Sequence, residues 1–192
     1  MWKSMKKRTS LSSVALAIIA TIFTAPSIAQ EHNPDIAKTD WIWTSPSPTA
    51  IGESECYTRK SFNAPAKITS AVVLITADNV YELYVNGKYV GEDGGYDAVY
   101  WRSVERYDVT KLLVPGKNVI AARGKSLGGS AGLVIAARIE SEEAEPIEFY
   151  TDATWPALKT FDEDWNAIDC DSSAWPKALA LNKMGQGAWG ML

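Results

Sequence analysis

The chain predicts an all-β protein, an antiparallel β-sandwich, and three observations carry that prediction. Between Ala71 and Ala122, short apolar runs alternate with polar residues and are separated by turn-forming pairs. Asn86-Gly87 divides two such runs; Asn-Gly suits a type I′ hairpin turn because both central residues tolerate positive φ. No long amphipathic helix accompanies these closely spaced strands, so each sheet needs a second sheet to cover its apolar face.

The elements follow in order. Asp40 to Thr44 (DWIWT) is a short extended segment with Trp41 and Trp43 on one side. Ser45 to Ala50 carries two prolines and is irregular. Cys56 to Phe62 alternates as a strand, and Pro65 breaks the chain between Asn63 and Lys67. Ser70 to Thr76 is nearly continuous in apolar residues, with β-branched members that favour a strand buried on both faces. In Val80 to Asn86, Tyr81, Leu83 and Val85 face one way, and Val80, Glu82, Tyr84 and Asn86 the other. Lys88 to Val90 returns from the turn, Gly91 to Gly95 reads as a loop, and Tyr96 to Tyr100 extends again. Tyr107 to Leu113 is a short turn or helical piece leading into Pro115-Gly116. Asn118 to Arg123 is a strand, Lys125 to Ser130 a Gly-rich loop, and Gly132 to Glu140 a strand with Leu133, Ile135, Ala137 and Ile139 on one face. Pro146 to Thr151 is the last clear strand. The tail from Asp152 to Leu192 holds Trp155, Trp165, Trp175 and Trp189, is expected to cover one end of the sandwich, and has room for helical turns such as Ala174 to Leu181.

Residues 1–29 have the make-up of a signal peptide. Lys3, Lys6, Lys7 and Arg8 form a basic start, Leu11 to Phe23 an apolar stretch, and Ser27-Ile28-Ala29 a small-x-small cleavage signal. The apolar stretch is shorter than the roughly 20 residues that span a bilayer. Export to the periplasm or the medium is expected, then a flexible leader over 30–40 and a single β-sandwich domain over 41–192. Losing the four leader cations takes the formal charge from −4 to −8. An acidic surface argues against nucleic acid or a membrane as partner and leaves a neutral sugar open. Cys56 and Cys170, an even pair in an exported chain, are a disulfide candidate; two separate buried thiols are the alternative.

Several segments carry a resemblance to a known family. They are Ala77-Asp78-Asn79, Tyr81 to Lys88 (YELYVNGK), Tyr107-Asp108-Val109-Thr110 and Gly116 to Ala121 (GKNVIA), framed by Trp41-Ile42-Trp43 and Thr151 to Trp155. In these the chain resembles the N-terminal jelly-roll domains of bacterial alpha-L-rhamnosidases and, more distantly, galactose-binding-domain-like modules of other glycoside hydrolases. The resemblance implies a sandwich of eight or more strands that accompanies catalytic domains. Some such domains bind sugar, some carry a structural calcium, and many scaffold their neighbours.

Candidate ligand residues lie in two groups. Glu92, Asp93, Tyr96, Tyr100, Trp101, Arg102 and Arg106 form a loop cluster of the kind that binds sugar: aromatic rings stack on its C–H faces and charged groups bond its hydroxyl rim. Beside this stands the plainer reading of packed rings and solvated charges. Asp78-Asn79 is either a side-chain-capped turn or an oxygen-rich corner for a ligand or calcium, which Glu82 and Tyr84 would join. The acids Asp162, Glu163, Asp164, Asp169 and Asp171 lack the twelve-residue calcium-loop pattern. With His32 the single histidine, near a terminus, a Ser-His-Asp hydrolase is disfavoured, and no pair of carboxylates is singled out for glycoside hydrolysis. The expected function is non-catalytic carbohydrate binding. The alternative is a structural or interaction module docking to another exported protein.

Overall fold

The computed structural model describes residues 32–45, 54–97, 100–160 and 163–190. The strands in chain order are β1 (Asp40–Trp43), β2 (Ser54–Ala64), β3 (Ile68–Asp78), β4 (Val80–Val85), β5 (Lys88–Gly94), β6 (Glu105–Asp108), β7 (Gly116–Ser126), β8 (Gly132–Ser141), β9 (Ile147–Tyr150), β10 (Ala157–Leu158) and β11 (Leu179–Lys183). One sheet has the order β11-β1-β8-β3-β6, with β9 also paired to β8; the other has the order β10-β2-β7-β4-β5. All pairings are antiparallel. The architecture is therefore the predicted antiparallel sandwich. Residues 1–29, expected to be a signal peptide, lie outside the described residues, and all those described fall within Glu31–Leu192. No described helix is long and apolar enough to cross a membrane.

Period-two alternation builds the core. Along β4, Tyr81, Leu83 and Val85 are buried while Val80, Glu82 and Tyr84 are half-buried. Val73, Ile75, Ile120, Leu133, Ile135 and Ile139 meet the inward side of β4 between the sheets. Each such aliphatic side chain contributes about 1.5–3 kcal/mol on burial. β3 is buried on both faces from Ser70 to Asp78. Its outward Val72 and Leu74 lie with Ala136 beneath Ile36, Val104 and Tyr150. Ile36 belongs to a 3-10 turn over Ile36–Lys38, N-capped by Asp35, in the segment expected as leader.

The Asn86-Gly87 turn has φ of 52° and 77°, both left-handed as predicted. Asn86 also ties this turn to the next: its amide donates to the Leu112 carbonyl (2.9 Å) and to Asn118 Oδ1 (2.8 Å), and its Oδ1 accepts from the Val119 N–H (2.8 Å).

The structure departs from the sequence reading in several places. Gly91 to Gly95 is not a loop up to Gly94: it continues β5, with Gly91 opposite Leu83 and Glu92 opposite Glu82. Backbone pairing tolerates glycine there, and the position needs it, because a Cβ on Gly91 would sit 2.5 Å from the Tyr107 ring. Tyr107 itself lies in β6, and the helical piece shrinks to a 3-10 turn over Thr110–Leu112. Tyr96 and Asp97 form a bend and Tyr100–Arg102 a 3-10 turn, not an extended run. Ala174 to Leu181 is not helical; Pro176 interrupts it, and the free edge of β1 recruits β11.

Trp41 and Trp43 do not share a surface. Trp41 stacks on Trp189 at 4.5 Å on the outer side of the first sheet. Trp43 turns between the sheets against Gly124, and Thr44 Oγ1 donates to the Glu55 carbonyl of the second sheet. The tail covers more than one end: Trp155 enters the main core, Trp165 packs outside the second sheet, and Trp189 outside the first.

The disulfide expectation is corrected: Cys56 and Cys170 are free thiols. Cys56 points inward into the core, which pushes its thiol up to about 12. Cys170 follows Trp165 and Ile168, which pack on the opposite, outer side of the same sheet.

Candidate functional site

The outward positions of three neighbouring strands converge on one pocket. Alternation that sends Cys56, Leu83 and Ala122 inward sends Tyr57, Glu82, Tyr84 and Arg123 outward. In register, Tyr57 lies opposite Arg123 and Arg123 opposite Glu82, so β2, β7 and β4 set three side chains in a row across the sheet. Trp165, from the tail, forms the remaining wall. The pocket holds about 330 Å³, at the small end of the roughly 300–1,000 Å³ typical of small-molecule sites.

Its chemistry is a guanidinium between two carboxylates. Arg123 Nη1 donates to Glu82 Oε1 (2.8 Å) and Nη2 to Glu55 Oε1 (2.5 Å). The second oxygen of each carboxylate accepts a phenol proton: Tyr84 Oη donates to Glu82 Oε2 (2.6 Å), and Tyr57 Oη to Glu55 Oε2. Burial alone would raise Glu55, but its bonds from Arg123 and Tyr57 outweigh that and hold it below its ordinary value. Burial, then the bond to Glu55, pushes Tyr57 up to about 12. Burial, then the bond to Glu82, does the same to Tyr84. The Arg123 guanidinium is held above its ordinary value, first by its bond to Glu55.

Aromatic edges complete the walls. The Tyr57 and Tyr84 rings meet Trp165 edge-on, at 5.1 and 5.5 Å between centroids, and Tyr89 stands 5.8 Å from Tyr84. Arg59, fully buried one pair outward on β2, fixes the Trp165 backbone: its Nη1 donates to the Trp165 carbonyl (2.9 Å). Its Nη2 reaches Ser61 Oγ at 3.4 Å, and its Nε has no partner.

The residues singled out in the sequence do not form one site. Glu82 and Tyr84 line the pocket; Glu92 lies opposite Glu82 on the same outer face, and Asp93 pairs with Tyr81. Arg106 lies on the outer side of the other sheet, beside Leu74, and donates to Asn33 Oδ1. Tyr96 is 81% exposed.

A second group meets at the end of the sandwich. Asp78 Oδ2 accepts from Trp189 Nε1 (2.9 Å), and Asn79 Oδ1 from the Leu127 N–H (2.7 Å). Trp101 packs against the Trp41–Trp189 pair, takes a bond from Thr76 Oγ1 on its carbonyl, and carries the Arg102 guanidinium 4.9 Å from its ring. Tyr100 is 36% exposed and lies over Gly95, whose N–H bonds the Asn79 carbonyl. Burial raises Asp78, opposed by the Trp189 bond. Among the described residues, no three His, Cys, Asp or Glu side chains gather as a metal donor set; Asp162 of the acidic run lies outside them.

Tyr57, Glu55, Arg123 and Trp165 were not singled out from the sequence. The first three carry a usable signal, the outward phase of strands β2 and β7. Trp165 carries none, since only the folded tail brings it there.

Comparison with known proteins finds a family model, a curated relative and several solved structures to which the chain is similar. Residues 66–126 match the family model described as the alpha-L-rhamnosidase N-terminal domain. The alpha-L-rhamnosidase of Streptomyces avermitilis is 29% identical over 163 residues, covering 82% of this chain and 16% of that enzyme. Its crystal structure complexed with L-rhamnose has a TM-score of 0.74 at 27% identity, covering the same shares. The Pleurotus ostreatus lectin in complex with GalNAc has a TM-score of 0.69 at 25% identity, over 83% of this chain and 48% of the lectin. The GH78 family rhamnosidase of Bacillus sp. GL1 has a TM-score of 0.67 at 27% identity, over 80% and 19%. The chain is similar to the N-terminal domain of alpha-L-rhamnosidases and spans 16% of the length of the curated relative it matches.

Proposed function

We propose that this protein is a non-catalytic carbohydrate-binding accessory module that holds one sugar ring in the pocket of Tyr57, Glu82, Tyr84, Arg123 and Trp165. One observation carries the reading: aromatic walls share a pocket sized for a small molecule with the Glu82 carboxylate and the Arg123 guanidinium, which Glu55 holds from behind the lining. Such a lining matches a sugar's apolar C–H faces and hydroxyl rim. The L-rhamnose and GalNAc complexes of the similar proteins support the ligand class. A non-catalytic role fits the carboxylates. Both carboxylates are engaged by Arg123 and by a tyrosine hydroxyl, so neither is free to act as acid, base or nucleophile. We also read residues 1–29 as an export signal, which amino-terminal sequencing of the protein from the culture medium or periplasm tests.

A neutral-monosaccharide titration followed by tryptophan fluorescence and NMR tests the site. Tyr84→Ala and Trp165→Ala are expected to weaken binding at least tenfold with the sandwich intact by circular dichroism. Unchanged affinity in both variants overturns the assignment.

The half-exposed Tyr100 beside Asp78-Asn79 favours a second reading, a sugar site at the sandwich end. Tyr100→Ala, assayed with and without calcium, separates the two. If neutral, amino and acidic sugars all leave the spectra unchanged, the protein is a docking module instead.

A further inference from the structure

We propose that the outer-face pocket selects its sugar by charge, taking a neutral or amino-substituted ring and rejecting an acidic one such as a uronate. This rests on the reading of the pocket as a sugar site. An arginine lining a pocket usually suggests an anion partner. Here both terminal nitrogens of Arg123 already bond carboxylates, Glu82 and Glu55. Its Nε is buried. The guanidinium is therefore neutralised twice over, and the three groups together carry a net negative charge.

The phenols add to the bias. Tyr57 and Tyr84 direct their protons to Glu55 and Glu82, so toward a ligand their oxygens are acceptors. Ionised carboxylates only accept. Apart from the second N–H of each Arg123 terminal nitrogen, the pocket thus offers acceptors, which match the hydroxyl or ammonium donors of a ligand, and its net charge opposes a second carboxylate. Glu92, cross-strand from Glu82 on the same exposed face, extends the negative rim. Directly opposed residues on one sheet face sit about 4.5–5.5 Å apart at Cβ. Two further cations lie nearby: Lys125, opposite Glu55, is itself engaged, and Arg59 is fully buried behind the Trp165 backbone, its terminal nitrogens on the Trp165 carbonyl and Ser61 rather than in the pocket lining.

The test is a titration of the full protein at pH 7 with matched neutral, amino and acidic monosaccharides: hexoses, 6-deoxyhexoses, and the corresponding hexosamines and uronates. Acidic sugars are expected to bind at least tenfold more weakly than their neutral counterparts. Raising the salt from 0.02 to 0.5 M is expected to narrow that ratio severalfold, since screening acts on the charge term alone. Glu55→Gln/Glu82→Gln is expected to raise uronate affinity relative to neutral sugar about tenfold, and the exposed Glu92→Gln, which leaves the pocket floor intact, about twofold. Uronates binding as well as neutral sugars, or a ratio indifferent to both salt and Glu92→Gln, overturns the charge selection while leaving the sugar site standing. If no class of sugar shifts the Tyr57, Tyr84 or Trp165 resonances, the site assignment falls as well.

Discussion

Glu55 and the two phenols tie stability to pH in opposite directions. Glu55 sits below its ordinary value in the fold, so its contribution is present above the unfolded pKa, about 4.3, and is lost as pH falls through the lowered folded value. Tyr57 and Tyr84 sit at about 12, against about 10 unfolded. Their contribution is complete below pH 10 and disappears as pH rises toward 12. Urea midpoints measured across pH are expected to fall at both ends, with Glu55→Gln flattening the acid limb and Tyr57→Phe/Tyr84→Phe the alkaline limb. An alkaline limb unchanged in the double Phe variant contradicts this account. Arg59 offers a second measurement. A fully buried guanidinium whose strongest partner is the Trp165 carbonyl cannot be replaced by an apolar side chain without leaving that carbonyl unpaired. Arg59→Met is expected to cost about 1–3 kcal/mol in chemical denaturation and to leave Trp165 more open to acrylamide quenching. A normal quenching profile means Arg59 does not hold the pocket wall.

Among elements, the tail and the edge strand β5 are the informative ones. The tail contributes Trp189, stacked on Trp41 and bonded to Asp78. Trp189→Ala removes the stack and orphans a buried carboxylate, so a loss of roughly 3–5 kcal/mol is expected, as for other large-to-small core changes. A loss under about 1 kcal/mol shows instead that the last residues are dispensable. In β5, Gly91 leaves room for the Tyr107 ring, whose hydroxyl meets that of Tyr81 at 3.0 Å. Alternation names the inward residues of β4 and β8 in advance. The first half of β5 was legible as the return from the turn; its second half, Gly91 to Gly94, was not, because its glycines and acids look like a loop, whereas edge pairing needs only backbone. Glu82 and Tyr84 were legible as outward residues of β4. Their partner Trp165 was not, since no periodicity in an irregular tail says which face it covers.

At the level of the molecule, both thiols are free, Cys56 buried between the sheets and Cys170 partly exposed in the tail. Adding a reductant is therefore expected to leave Tm unchanged within about 1 °C, whereas a native disulfide typically contributes 2–4 kcal/mol. A clear drop in Tm on reduction restores the cross-link. The amino-acid order by itself determined the sandwich, the hairpin at Asn86-Gly87 and the inward sets of β4 and β8, because period-two alternation and turn chemistry are local properties of the chain. Only the tertiary structure decided that Cys56 and Cys170 stay apart, that the tail wraps both outer faces, and that Glu55, Arg123 and Glu82 meet beside Trp165. Those outcomes depend on register between strands distant in sequence and on where an aperiodic segment finds uncovered apolar surface, and neither is encoded in any one stretch of residues.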